Sequence, residues 1–204
     1  MHLAPIKPLK NLVILSCALL LLSACAHQKQ TMHSICLQHS ASAHQAWLAS
    51  IDHFKTAGKL KVYDAHHNPQ TAYFVWKQAG KKLDVMLSGP FGIHPVHIEG
   101  NHKTWTITTE KNKKTLSHNT EAIQINGYTL PRNSAWIKGG ILSQSHYQND
   151  PQGYINTMQK DALSFDYTHR CNQGFWLPET ITISEKGTIL TTLSIRKWQI
   201  NHTS

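Results

Sequence analysis

The chain has 204 residues and a formal net charge of +9, which limits it to one ordinary domain plus a short targeting segment. Charged residues make up 15% of it and apolar residues 40%, so a chain disordered by its own charge is excluded, as is a large multidomain machine. The first 24 positions contain Lys7 and Lys10 but no acidic residue. The rest of the chain therefore keeps a basic surplus.

The N-terminus has the pattern of a signal peptide. Lys7 and Lys10 precede an apolar run over residues 12–22. That run is well short of the roughly 20 residues that a membrane-spanning helix needs. We therefore expect no permanent anchor of that kind.

The apolar run ends in Leu22-Ser23-Ala24-Cys25, which matches the lipobox of bacterial lipoproteins. We expect residues 1–24 to be removed and Cys25 to carry the lipid, which would hold the protein on a membrane. The alternative is ordinary cleavage after Ala24 with a free Cys25 thiol. Ala26 stands where an aspartate would retain a lipoprotein of enterobacterial type at the inner membrane. The predicted location is the outer membrane, with the domain facing the periplasm.

Two cysteines, Cys36 and Cys171, remain for the folded domain. The predicted compartment is oxidising. A bridge between them would close a loop of about 135 residues and add on the order of 4 to 5 kcal/mol by chain entropy. The sequence leaves a disulfide and two free thiols both open, with free thiols slightly favoured.

The rest of the chain divides into a tether and a domain. Residues 25–42, which include the lipidated cysteine, are rich in Gln, His and Ser without apolar periodicity, which predicts a flexible tether. Residues 43–204 form the predicted domain. Its first element is a helix over residues 43–57, where Trp47, Leu48, Ile51 and Phe54 fall at helical spacing.

From Gly58 onward the apolar period changes to two, which predicts strands joined by short turns into antiparallel hairpins. The predicted strands lie near residues 60–62, 73–76, 83–87, 96–98, 105–107, 163–167, 180–184 and 189–200. Residues 121–123 and 131–139 instead suggest short helical turns. The predicted class is mainly β (α+β), a curved or barrel-like antiparallel sheet with a few short helices.

The run Tyr73 to Trp76 is apolar on both faces, so we expect it to be covered on both. Aromatic residues on the concave side of the sheet either fill a core or line a lipid cavity, and the pattern alone favours a core. The candidates for lining such a cavity are Trp47, Phe74, Trp76, Trp105 and Trp136.

The most informative loop is Ser88-Gly89-Pro90-Phe91-Gly92-Ile93. Pro90 and the glycines on either side of it predict a tight turn with Phe91 at its tip. Phe91 either folds back over the core edge or is exposed, and the pattern alone favours folding back.

Catalytic and metal signatures are absent from the sequence. No GxSxG, HExxH, CxxC or phosphate-loop pattern occurs, so we expect neither an enzyme nor a cofactor. The 15 histidines lack ligand spacing, since the adjacent His66 and His67 would point to opposite faces of a strand, and we expect no metal site. Nucleic acid is not expected to meet a periplasmic lipoprotein. Anionic lipid headgroups or an acidic protein are the expected counterparts of the basic surplus.

Several short motifs resemble, in their order and spacing, the outer-membrane lipoprotein receptor family LolB. These motifs are the helix with Trp47 and Phe54 leading into Gly58-Lys59-Leu60, then Phe74-Val75-Trp76, Leu87-Ser88-Gly89-Pro90-Phe91-Gly92, Leu130-Pro131, Trp136-Ile137-Lys138-Gly139, Gln159-Lys160-Asp161, Leu177-Pro178 and Arg196-Lys197-Trp198. The resemblance runs over most of the mature chain. Departures from the family pattern, such as Ala162-Leu163 in place of Gly-Trp, concern the cavity lining more than the fold.

The resemblance implies an incompletely closed antiparallel β-barrel with helices across an apolar cavity for acyl chains. It implies a monomer that takes acylated lipoprotein cargo from a LolA-like periplasmic carrier and inserts it into the inner leaflet of the outer membrane. It also implies an exposed membrane-insertion loop with Phe91 at its tip, flanked by Pro90, Gly92 and Ile93, where the family has a leucine at the tip. The alternatives are a structural or assembly lipoprotein that docks to a protein partner, and a lipid-modifying hydrolase.

Overall fold

The structure is a computed structural model, and it describes a defined part of the chain. The described residues are 36, 39–63, 68–89, 95–101, 103–116, 122–125, 128–131 and 133–201, with only the backbone described for 122–125 and 128–131. All of them belong to the compact unit of residues 34–204. Cys25 and the loop residues Pro90, Phe91, Gly92 and Ile93 lie outside the described residues.

The described part is built mainly of strands. In chain order they are β1 (His53–Tyr63), β2 (Pro69–Ala79), β3 (Lys82–Ser88), β4 (Val96–Gly100), β5 (Trp105–Thr109), β6 (Lys113–Leu116), β7 (Ala122–Ile125), β8 (Tyr128–Pro131), β9 (His146–Asn149), β10 (Ile155–Lys160), β11 (Leu163–Asn172), β12 (Phe175–Glu185) and β13 (Thr188–Ile200). The described helices are α1 (Ala41–Ser50) and a 3-10 helix, Ser134–Lys138. None of the described helices has the length and apolar character needed to cross a membrane.

Eleven strands form one antiparallel sheet in the order β6-β5-β4-β3-β2-β1-β13-β12-β11-β10-β9, and β7 pairs with β8 in a hairpin of its own. Short turns join most neighbours, as the predicted hairpins require. The sheet does not close, because β6 and β9 are its two free edges. The predicted class, a mainly β protein with an incompletely closed antiparallel sheet, is confirmed.

One face of the sheet is apolar and covered. On β2 the side chains of Phe74 and Trp76 are buried while Tyr73 is 44% exposed, so the expectation that the Tyr73–Trp76 run is covered on both faces is wrong. Strands β3 and β4 show the same alternation of buried and more exposed positions. The core side chains lie on the buried face, and the other face is exposed to solvent.

The first helix is shorter than predicted. Ser40 caps α1, its Oγ accepting a hydrogen bond from the amide of Ala43 at 3.3 Å, and the helix ends at Ser50. Phe54 lies on β1, so the predicted helix over residues 43–57 is wrong in its second half. Leu48, Ile51 and Phe54 are all buried. Their spacing fits one helical face, but Leu48 lies in α1 and Phe54 lies in β1.

Two further predictions concern the middle of the chain. The helical turn predicted at residues 121–123 is wrong, because Ala122–Ile125 is strand β7. The short helix predicted over residues 131–139 is confirmed as the 3-10 helix Ser134–Lys138. The sequence also gave no sign of β9, whose four residues His146–Asn149 are all exposed.

A bulge bends the sheet where β1 meets β13. The register shifts between Ala57 and Gly58, opposite Lys197 and Ile195. A Cβ at position 58 would overlap the carbonyl oxygen of Ser194 and lie 2.9 Å from the ring of Phe74. Only glycine lets the two backbones approach this closely, and bulges of this kind add curvature to a sheet.

A disulfide joins Cys36 to Cys171, whose Cα atoms are 5.6 Å apart and whose sequence separation is 135. The preference for free thiols is therefore wrong. Pairing depends on the three-dimensional approach of β11 to the segment before α1, which spacing in the sequence does not show. The bridge and the start of α1 at Ala41 place folded structure inside the predicted tether, residues 25–42.

We predict that removing this bridge lowers the stability of the domain. In Cys36→Ser the unfolded chain regains the entropy of a long loop, so the free energy of unfolding should fall by about 2 to 5 kcal/mol. Urea denaturation of residues 26–204, with and without reductant, measures the change. Cys171→Ser should reproduce it, and an unchanged midpoint on reduction would contradict the prediction.

Candidate functional site

The candidate site is the apolar interior on the buried face of the sheet. Phe74, Trp76, Trp105 and Trp136 are at most 3% exposed and belong to one continuous cluster. Strands β2 and β5 contribute the first three side chains, and the 3-10 helix contributes Trp136. Four of the five predicted cavity residues are thus brought together, packed against other side chains as the core interpretation expects. Their role in binding lipid stays a prediction.

Trp47, the fifth candidate, lies apart from the other four. Its indole stacks on the ring of Phe175 with centroids 3.8 Å apart and planes 7° from parallel. It is half-buried at the margin of the core, on α1, above the turn between β11 and β12. Helical spacing correctly indicates its inward face but not which part of the sheet it meets.

Trp136 lies at the centre of the interior. Its ring meets Trp76 edge-on at 5.7 Å and Phe165 of β11 at 6.1 Å. Phe165 in turn stacks on Tyr167, with centroids 6.5 Å apart. Neither Phe165 nor Tyr167 was among the predicted site residues, although the alternating apolar positions of β11 would have put both on the buried face. A chain of aromatic rings thus links β2, the 3-10 helix and β11.

The 3-10 helix that carries Trp136 is fixed by its own local sequence. Asn133 caps it, its Oδ1 accepting a hydrogen bond from the amide of Ala135 at 2.9 Å. Gly139 ends it with a φ of 76°, a left-handed conformation that favours glycine. A Cβ at Gly139 would also approach Pro178 Cγ to 3.3 Å. The Trp136-Ile137-Lys138-Gly139 motif therefore encodes both the inserted side chain and the turn after it.

Lys138 ties this segment to α1. Its buried Nζ donates hydrogen bonds to the carbonyl oxygens of Leu48 at 2.7 Å and Ile51 at 2.6 Å, at the C-terminal end of the helix. A cation there meets carbonyl oxygens at the end of the helix and the negative end of the helix dipole. Burial lowers the pKa of Lys138, and the carboxylate of Asp52 opposes that shift. Gln45 adds a hydrogen bond from Nε2 to the carbonyl of Gly139 at 3.2 Å.

A second cluster lies where α1 meets β11. His44 is 2% exposed and meets the ring of Tyr154 edge-on at 4.7 Å, while His169 lies 5.9 Å from the same ring. Burial lowers the pKa of His44 to about 4, helped by His169 and His39 and opposed by Asp150. Burial likewise lowers the pKa of His169 to about 4, opposed by Asp150.

The described part of the chain contains no group of three or more His, Cys, Asp or Glu side chains placed to hold a metal ion. The buried histidines instead pack as aromatic rings against Tyr154 and Tyr167. Because His44 lies on α1, His169 lies on β11 and both meet the ring of Tyr154, these contacts help to hold α1 to the sheet.

The fold is similar to that of a solved structure. A LolA superfamily protein from Nitrosomonas europaea, whose crystal structure is solved, superposes with a TM-score of 0.55. The alignment covers 81% of this chain and 96% of that protein at 9% sequence identity, so the likeness is one of fold.

Sequence comparison defines the family more narrowly. The family described as outer membrane lipoprotein LolB matches residues 52–198, well over half of the chain. The protein named outer-membrane lipoprotein LolB from Chromohalobacter salexigens is 22% identical over 187 residues, covering 88% of this chain and 86% of its relative. This chain belongs to the LolB family of outer-membrane lipoproteins.

We predict that the histidine cluster makes the domain lose stability in acid. Between pH 6.5 and about 4 the unfolded chain protonates these histidines, whereas the folded protein keeps them neutral. The free energy of unfolding should therefore fall as pH drops through this window, by roughly 3 kcal/mol for a histidine that keeps its full shift, and the histidine contribution should level off below it. Urea unfolding at several pH values measures the slope.

The matched variants are His44→Phe and His146→Gln. His44→Phe keeps a ring against Tyr154 but removes one titrating group, so its stability should depend less steeply on pH. His146 is exposed on β9, and its replacement is the control for removing a histidine outside the cluster. Equal slopes in all three proteins would show that His44 is not the source.

Proposed function

We propose that this protein is a lipid-anchored receptor that takes acylated lipoproteins from a LolA-like periplasmic carrier and inserts them into the inner leaflet of the outer membrane. The observation that carries the proposal is the apolar interior of an open sheet in a LolB-family chain, covered by a short segment outside the large sheet. Acyl chains would enter this interior by displacing the 3-10 helix with Trp136. Hydrogen bonds from Lys138 and Gln45 tie that segment to α1.

The proposed anchor is Cys25. A lipid there would hold the domain on the periplasmic side of the outer membrane, where cargo has to be delivered. Two or three acyl chains make such attachment effectively permanent, since each buried methylene contributes about 0.8 kcal/mol. The receptor would thus stay anchored at the membrane, and the carrier would diffuse to it.

The free energy per buried methylene also requires that cargo be transferred directly between proteins. Exposing the acyl chains of a lipoprotein to water would cost tens of kcal/mol at about 0.8 kcal/mol per methylene. The cargo must therefore pass from one apolar interior to another and then into the bilayer. In this proposal the order of lipid affinities alone sets the direction, with no nucleotide and no catalytic step.

Delivery to the bilayer is assigned to the loop between β3 and β4. Phe91 would dip its ring into the membrane interface, flanked by Pro90, Gly92 and Ile93. An apolar side chain presented on a loop gains free energy by burial at the headgroup boundary. The family resemblance supports this role, because the family carries a leucine at the matching tip.

The outer face of the sheet suggests how an acidic carrier would be attracted. Lys55, Lys59 and Lys61 alternate along the solvent side of β1, and Lys77 and Lys197 lie on the neighbouring strands. Within the described part of the chain, no carboxylate forms an ion pair with Lys55, Lys61 or Lys197, whereas Lys77 pairs with Asp84 at 3.2 Å. Unpaired cations on one surface raise the association rate of an acidic partner.

We predict that residues 26–204 accept acylated lipoprotein from its carrier, and that Phe91→Glu accepts cargo but fails to deliver it to liposomes. A charged tip loses its affinity for the interface but leaves the interior unchanged. Co-purification scores acceptance, and liposome flotation scores delivery. Ile189→Glu is the matched control, since Ile189 is an apolar side chain, 44% exposed, next to a different turn.

Two outcomes would contradict this proposal in different ways. Normal delivery by Phe91→Glu would remove the role of the loop. No acceptance at all by a folded wild-type domain would favour the docking alternative, in which apolar side chains such as Tyr73 and Met86, 44% and 39% exposed, form a dry protein interface.

We also predict that transfer from the carrier slows as salt rises, because screening weakens attraction between surface charges. The double variant Lys55→Glu/Lys61→Glu should slow transfer severalfold at low salt and abolish most of the salt dependence. Lys186→Glu, on the turn between β12 and β13, is the control, because it makes the same charge change as each substitution on β1 but at a different place. A transfer rate independent of salt in the wild type would rule out electrostatic attraction.

A further inference from the structure

Within the described part of the chain, two polar groups in the apolar core cluster have no hydrogen-bond partner. They are the indole Nε1 of Trp76 and the hydroxyl of Tyr167, on side chains that are 2% and 6% exposed. The indole of Trp198 shows the usual arrangement, since its Nε1 donates to the carbonyl of Pro178 at 3.0 Å. Buried donors without partners are rare because they lose hydrogen bonds to water and regain nothing.

The two groups lie on separate flanks of the sheet, with Trp136 between them. Trp76 is on β2 and meets Trp136 directly, and Tyr167 is on β11 and reaches Trp136 through Phe165. Trp136 belongs to the covering 3-10 helix and to no strand. When this cover moves, the space left by its ring lies between the strands that carry the two groups.

Their chemistry selects the kind of polar group that would fit. An indole N–H can only donate a hydrogen bond, and a phenol can donate one. Burial raises the pKa of Tyr167 well above its ordinary value, so its hydroxyl keeps its proton. Lys138, the buried lysine of the described residues, already donates to Leu48 and Ile51. The interior therefore offers neutral donors, which match a neutral acceptor better than an ionised carboxylate.

An acylated glycerol carries such acceptors at the point where its chains begin. Each ester carbonyl is an acceptor without a proton of its own, attached to an apolar chain. We propose that Trp76 Nε1 and the Tyr167 hydroxyl donate hydrogen bonds to the ester carbonyl oxygens of the acyl glycerol bound in this interior. This inference rests on the proposed function. It adds that the interior binds lipids with ester carbonyl groups in preference to pure hydrocarbon chains.

The test compares a diacylglycerol with a dialkylglycerol ether of the same chain length, each displacing a fluorescent apolar probe from residues 26–204. The ether keeps the chains and removes the carbonyl acceptors. Tyr167→Phe should weaken diester binding about tenfold and leave ether binding unchanged. Trp76→Phe should act in the same direction, and Tyr147→Phe, at a residue 46% exposed, should change neither.

A second measurement reports the hydrogen bond itself. The infrared carbonyl band of diacylglycerol labelled with carbon-13 should move to lower frequency on binding to the wild type, and Tyr167→Phe should lose part of that shift. The melting temperature of Tyr167→Phe should not fall, because the variant removes only an unpartnered hydroxyl. These readouts separate ligand recognition from a purely structural role of the ring.

The possible failures are distinct. A folded wild type that binds neither lipid would overturn the proposed function together with this inference. A wild type that binds both lipids, with Tyr167→Phe weakening neither or both equally, would keep the apolar receptor and overturn the assignment of the donors.

Discussion

The contact between the Lys138 ammonium group and the end of α1 is the interaction on which the organisation of the interior depends. An open sheet with one apolar face needs a cover, and within the described residues α1 and the 3-10 helix contribute to that cover. Lys138 joins the two through the carbonyls of Leu48 and Ile51, and its ammonium lies 5.9 Å from the ring of Phe54. A buried lysine keeps its charge only with such partners, so the cover and the helix position each other.

The other end of α1 is held by different means. The disulfide fixes the segment before the helix to β11, and the rings of His44, Tyr154 and His169 pack between them. Because the pKa values of His44 and His169 are lowered to about 4, both side chains are neutral at pH 7 and behave as aromatic packing groups. The N-terminal helix is thus tied covalently at one end, and at the other end by the Lys138 ammonium group on its carbonyls.

The sheet could be predicted from the sequence because its signal is local. Alternating apolar residues and polar turns determine most of the strands, and a strand such as β2 shows its buried face in Phe74 and Trp76. The errors occur where a local pattern fits two structures. Leu48, Ile51 and Phe54 match one helical face although Phe54 lies in strand β1, and β9 has no apolar alternation to reveal it.

Most of the candidate site could not be predicted, because its contacts join residues far apart in the chain. The bond from Lys138 to Leu48 spans 90 positions, and the disulfide spans 135. The local pattern predicts Trp136 as an aromatic residue in a short helix, but it does not predict that the ring meets β2 and β11 together. The sequence also could not show that Tyr167 and Trp76 lack hydrogen-bond partners among the described residues. A missing hydrogen bond is a property of the folded surroundings and not of the residue.

A filled interior would suit the proposed receptor, which has to release what it binds. If acyl chains replace Trp136 and its neighbours, apolar contacts are exchanged for apolar contacts, so the net gain is smaller than the full transfer of those chains from water. Binding would then stay weaker than burial in a bilayer, as the proposed relay into the membrane requires. Unpartnered donors would add a modest preference for the polar start of the chains without making the complex too stable to release. The packing of the interior and its ability to pass cargo onward would therefore have the same physical cause.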